Sequence, residues 1–133
     1  MSPPRTRSDQ ALIGLRSVAA LIMISHGVYR ALTDGFVPGF GEFLGTKGLP
    51  FGHALAVAIT AWEIIGGTLL LAGRWVRVVA LLFVAQLAFG IELVHAPDGW
   101  FVVGGGRNGM EFSVLLIAVF AAVAWSHSRS TTE

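Results

Sequence analysis

The sequence predicts an all-α protein, an integral membrane four-helix bundle with both termini in the cytoplasm. Three observations predict it. The 133 residues are 54% hydrophobic and only 13% charged, whereas soluble domains carry about a quarter charged residues. Four apolar stretches approach the roughly 20 residues needed to cross a bilayer. The basic residues are also unequally shared between the two ends. Arg5, Arg7, Arg74, Arg77 and Arg129 fall at the N-terminus, the second turn and the C-terminus. Lys47 and Arg107 fall in the other loops, and cytoplasmic loops are the ones enriched in Lys and Arg.

Residues 1–10 are polar and carry Pro3, Pro4, Arg5 and Arg7. They read as a disordered cytoplasmic start. The apolar run behind them is too long for a signal peptide and lacks a small-residue cleavage site, so it reads as an uncleaved first helix over 11–33. Arg16 lies near its start. His26 and Arg30 lie four apart, on one face. Arg30 can snorkel to the far interface, whereas His26 is too short for that.

Residues 33–52 form a loop rich in Gly, Pro and Phe, with a short interfacial turn of helix over 42–49. Phe36, Phe40, Phe43 and Phe51 suit the headgroup level, and Gly48-Leu49-Pro50 breaks the chain. The second helix covers 52–73. Its only acid is Glu63, about 16 Å from the helix end on the α-helical rise. A carboxylate there must face something other than lipid. Gly66 and Gly67, one turn on, let another helix approach closely.

Arg74-Trp75-Val76-Arg77 is a tight basic turn. The third helix covers 78–96 and holds Gln86, Glu92 and His95; Gln86 reads as an interhelical hydrogen-bonder. Pro97-Asp98-Gly99 ends it, and a glycine-rich loop follows. The fourth helix covers 109–125 with Glu111 in its first turn, and residues 126–133 form a polar cytoplasmic tail. Trp75, Trp100 and Trp125 lie where interfaces are expected. His53 and His127 sit at helix ends and read as solvated.

Several function classes are excluded. There is no cysteine, hence no disulfide, thiol chemistry, iron–sulfur cluster or Cys-ligated zinc. No basic tract serves nucleic acid. Gly104-Gly105-Gly106-Arg107-Asn108-Gly109 fits a G-x-G-x-x-G string, but without a strand and βαβ context it does not bind dinucleotides. Free N–H groups at the start of the fourth helix, with Arg107, could still hold an anionic or carbonyl group. The loop could equally be a plain connection.

His26, Glu63, Glu92, His95 and Glu111 all fall in the outer half of the bilayer or at its middle, with at least one on each helix. Three readings compete for them. A structural network would hold the helices together, though such bonds average only about 0.6 kcal/mol in membranes. A pocket opening outward would hold a quinone-like or other small ligand, or relay protons between a carboxylate and a histidine. A metal site would draw on Glu63, Glu92, His95 and Glu111, because Glu92-x-x-His95 repeats a step of di-iron bundles. The second such step is missing, since Met23 stands three before His26. Haem ligation by His26 and His95 is not expected, because their depths differ by about 9 Å of helix rise.

The order of these pieces resembles the DoxX family of small four-helix membrane proteins, over about residues 12–125. The resemblance rests on His26-Gly27, Gly48-Leu49-Pro50, Glu63 followed by Gly66-Gly67, Gly73-Arg74 with Arg77, His95 closing the third helix, and Gly104-Gly105-Gly106 before Glu111. Met110 stands where the family often has an aromatic residue, and Asn108-Gly109 is a further departure. The resemblance implies a multi-pass protein of the bacterial cell (inner) membrane associated with oxidoreductase systems, including a thiosulfate:quinone oxidoreductase subunit. Carried over by position, His26, Glu63, His95 and Glu111 are the functional candidates; the reading of the residues themselves selects the same four and adds Arg30, Glu92 and Arg107 as further ligand contacts.

The sequence therefore points to a membrane subunit of an oxidoreductase system. It has no self-sufficient catalytic motif and borrows any electron carrier, quinone being the one expected. The alternative is a non-enzymatic membrane partner or small-molecule carrier. The partners expected are the lipid bilayer, a small-molecule ligand, oxidoreductase proteins and, as an open option, further copies of the same chain.

Overall fold

A computed structural model describes residues 4–105 and 107–127; residues 1–3 of the expected disordered start, 128–133 of the expected 126–133 tail and Gly106 of the glycine string lie outside the described residues, and Ser126 of that tail belongs to a helix. Among the described residues, all regular structure is helical. The helices are α1 (Arg7–Leu32), α2 (Phe36–Thr46), α3 (Gly52–Leu71), α4 (Val76–Gly90) and α5 (Glu111–Ser126). A π-turn (Ile91–His95) and a 3-10 turn (Ala96–Asp98) prolong α4.

Three rods are long and apolar enough to cross a membrane: Arg7–Leu32, Gly52–Leu71 and Val76–Asp98. Helix α5 is apolar but shorter, 16 residues, or about 24 Å. Leu15, Val18, Leu21, Val57, Ile65, Leu81, Leu82 and Leu115 point outwards on these rods, as apolar side chains do where the solvent is lipid.

Most helix ends shift by one to three residues from the sequence reading, so that Val76 and Arg77 of the expected basic turn open α4; two differences are larger. The start is not irregular up to residue 10, because Thr6 and Asp9 form a reciprocal capping box: Asp9 N–H donates to Thr6 Oγ1 and Thr6 N–H to Asp9 Oδ2. That satisfies orphan donors and starts α1 at Arg7. The expected short turn over 42–49 is instead the 11-residue α2. Gly35, with φ of 79°, turns the chain into it. Pro38 falls in the first turn, where its missing N–H has no helical partner to lose.

Glycines set the helix contacts. A Cβ on Gly67 would come within 2.5 Å of Ile24 Cγ1 and 2.9 Å of the Ala20 carbonyl. One on Gly27 would come within 2.9 Å of the Thr60 carbonyl. The pairings 27 with 60 and 67 with 20 make α1 and α3 antiparallel, packed at backbone distance. Gly52 meets the Gly41 carbonyl in the same way and brings α2 onto α3.

Apolar filling and open space are divided between the two halves of the molecule. Ala20, Met23, Leu70, Val79, Ala80, Phe83, Phe120 and Val123 form a buried core. Phe83 stacks on Phe120 with ring centroids 5.2 Å apart and takes Trp62 on its other flank. The other half, towards the C-terminal end of α1 and the N-terminal end of α5, holds a cavity.

Candidate functional site

The floor of the cavity is a polar knot in an apolar wall. Glu63 is 4% exposed. An ionised carboxylate so placed is tolerated only when paired and hydrogen-bonded. Arg30 Nη1 donates to Glu63 Oε2 at 2.8 Å and shares the same nitrogen with Thr60 Oγ1 at 3.2 Å. From α4, Gln86 Nε2 donates to Glu63 Oε1 at 2.7 Å. Thr60 passes its own hydrogen back to the Ala56 carbonyl at 2.7 Å. Both Glu63 oxygens are thus engaged, by α1 and by α4.

The sequence reading let Arg30 snorkel to the far interface, pair with an acid across helices or contact a ligand. The structure turns it inwards, because Gly27 lets α1 approach α3 closely enough for the guanidinium to reach Glu63. The Phe40 ring of α2 covers Arg30 at 4.7 Å. Arg30 Nε and Nη2 donate to no partner among the described residues. They are not enclosed either, since the enclosed unpartnered polar atoms are Arg16 Nε and Gln86 Oε1.

The cavity has a volume of about 610 Å³ and is lined from every helix. His26 and Arg30 of α1, Glu63 of α3, Gln86 of α4 and Ser113 of α5 supply polar groups, and His95 supplies another from the π-turn. The remainder is mainly aliphatic and aromatic, including Leu44, Ile59, Leu93, Phe112 and Leu116. That is the make-up of a small-molecule site: apolar walls with a few placed polar groups.

The candidates from sequence divide into two sets. His26, Arg30, Glu63 and His95 meet at this one cavity. Glu92, Arg107 and Glu111 are not among its lining residues. Glu111, expected at the mouth, instead accepts the N–H groups of Val102 and Val103 on Oε1 at 2.8 and 3.0 Å. It anchors the loop whose Val102, Asn108 and Gly109 form part of the wall.

The same loop takes up several of the N–H groups that the anion-holding reading of the glycine string draws on. The N–H groups of Gly109, Met110 and Glu111 donate to the carbonyls of Phe101, Gly99 and Trp100. These three donors, up to the first residue of α5, are taken by the loop. Arg107 is exposed beside it.

The metal reading fails in the described residues, where no three His, Cys, Asp or Glu side chains come together as a metal would need. The cause is local. Glu92 and His95 lie on a π-turn, and an i→i+5 ladder winds less per residue than an α-helix. Three residues therefore carry Glu92 further round the axis from His95 than an α-helical step would. Glu92 faces out while His95 lines the cavity.

Gln86, Thr60 and Ser113 are the site residues the sequence reading did not promote. Gln86 was assigned interhelical hydrogen bonding, and it does bond across helices, to Glu63. Thr60 carried a usable signal, since it lies three residues before Glu63 on the same face.

Searches of curated proteins and of solved structures return no match to this chain. A scan of family profiles does: the DoxX profile matches residues 11–96, well over half the chain, from the first apolar residues of α1 through His95. With its long apolar helices, this multi-pass membrane protein belongs to the DoxX family.

Proposed function

We propose that the chain is a membrane subunit of an oxidoreductase system whose cavity holds a neutral, quinone-like ring. In this reading α1, α3, the α4 rod and α5 cross the bacterial inner membrane as a four-helix bundle. Both termini are cytoplasmic and the cavity faces the other side. The distribution of arginines supports that orientation.

The observation that carries the reading is the pairing of Arg30 with Glu63 inside the largely apolar cavity. The pair contributes no net charge, so an anionic ligand would bring an uncompensated charge into a low-dielectric wall. A neutral molecule with an apolar body would not. The unpartnered N–H groups of Arg30 suit a carbonyl oxygen, and His26 and His95 are placed to contact the same ring. This favours a ligand site over a proton relay through Glu63, since a relay needs a carboxylate oxygen free to take a proton and both are bonded. A quinone would supply the electron chemistry; the chain itself binds, orients and excludes water.

The test uses protein purified in mild detergent, with bound small molecules extracted and identified by mass spectrometry, followed by titration with a short-chain ubiquinone and with its ubiquinol. Near-stoichiometric, saturable binding that is weakened at least about tenfold by His26→Ala is expected. Absence of any saturable binding to the folded protein would sink the reading.

A further inference from the structure

The ring of His95 is held in one tautomer. Its Nδ1 lies 2.8 Å from the main-chain carbonyl of Asn108. A carbonyl oxygen only accepts, so Nδ1 carries the hydrogen, and Nε2 of the neutral ring is left with its lone pair. Nε2 makes no hydrogen bond among the described residues. The bond is braced at both ends. His95 closes the π-turn, and Asn108 precedes two residues whose N–H groups are tied to Phe101 and Gly99 at 3.2 and 3.0 Å. Both His95 and Asn108 line the cavity.

The cavity therefore presents groups of opposite kind. Arg30 has only donors to offer. His95 offers an acceptor on the side of the ring away from Asn108. A quinone carries carbonyls, which only accept. A hydroquinone carries hydroxyls, which both accept and donate. Arg30 serves either form, because a carbonyl and a hydroxyl oxygen both accept from it. His95 Nε2 serves only the form that has an O–H to give. Against a quinone oxygen it sets lone pair to lone pair, and a site built to bond a hydroxyl rejects the analogue that lacks one.

We propose that His95 makes the cavity selective for redox state, so that it takes the hydroquinone in preference to the quinone. This rests on the quinone-like reading above. His95 here is a specificity-determining residue, and no electron transfer by the chain is implied.

The experiment compares a short-chain ubiquinol with the matching ubiquinone in anaerobic equilibrium binding to the intact purified protein. The wild-type chain is expected to bind the ubiquinol about tenfold tighter or better. His95→Phe keeps an apolar ring and removes the acceptor; it should abolish the preference, leaving ubiquinol and ubiquinone with equal affinities. His95→Gln, which retains an acceptor, should restore part of the preference. Equal or tighter binding of the quinone by the wild type overturns the proposal while leaving the quinone-like reading standing, and so does a preference that survives in His95→Phe. If neither form binds saturably, the quinone-like reading fails and this proposal with it. The wild-type comparison decides the matter even if a His95 variant does not fold.

Discussion

Arg30 and Glu63 form an ion pair at 2.8 Å between antiparallel helices, with the Glu63 side chain 5% and the Arg30 side chain 18% exposed. Removing one partner leaves the other charge in an apolar wall. Arg30→Met and Glu63→Leu are each expected to cost about 3–5 kcal/mol, and the two together much less than the sum. Unfolding in mild detergent across this double-mutant cycle checks it. Additive losses would mean that the pair holds nothing together.

The pair depends on how close α1 comes to α3. Gly67→Ala places a methyl 2.5 Å from Ile24 Cγ1 and 2.9 Å from a backbone carbonyl. Overpacking of this kind costs about 1–3 kcal/mol, so thermal stability should fall. Gly14, on α1, has nothing within 4 Å of its would-be Cβ. There Ala should stabilise the helix by up to about 1 kcal/mol. Opposite signs for the two substitutions in one melting series are the expected result.

Glu111 holds a loop and does not line the cavity. Glu111→Gln should leave affinity for a quinone changed less than about twofold, since the residue does not line the cavity. Glu111→Ala should speed hydrogen exchange at the Val102 and Val103 amides, which lose their acceptor. Amide exchange by mass spectrometry reads the second effect directly. Unchanged protection at both amides would contradict the anchoring role.

Filling the cavity should abolish binding without touching the polar knot. Leu93 lines the space and makes no part of the Arg30–Glu63–Gln86 network. Leu93→Trp is expected to weaken binding of a short-chain ubiquinone at least about tenfold, as a steric block of the pocket would. The melting temperature should stay within a few degrees, because the added ring enters open space. Undiminished binding would move the ligand elsewhere.

Much of this site was legible because polarity in an apolar run is informative. Glu63 amid 53–72 had to face a partner, and it does. The glycines after it had to admit another element, and Gly67 meets α1 while Gly66 meets Phe83. What such runs do not encode is which partner a long side chain will choose. Arg30 can extend to an interface or fold inwards, and the choice is made by the approach of α1 to α3, a property of two distant glycines. The π-turn was equally hidden: residues 91–95 read as ordinary helix, so Glu92 and His95 read as one face. Glu111 looked like its fellow acids in sequence, yet the N–H groups it accepts belong to a loop with no hydrophobic period to reveal its path.

The neutrality of the Arg30–Glu63 pair has an electrical consequence. Moving one elementary charge through the membrane field is worth about 2.3 kcal/mol per 100 mV. A neutral ring that enters beside a pair of opposite charges moves none. Loading and release at this site should then be electroneutral, proceeding at the same rate in an energised membrane and a depolarised one.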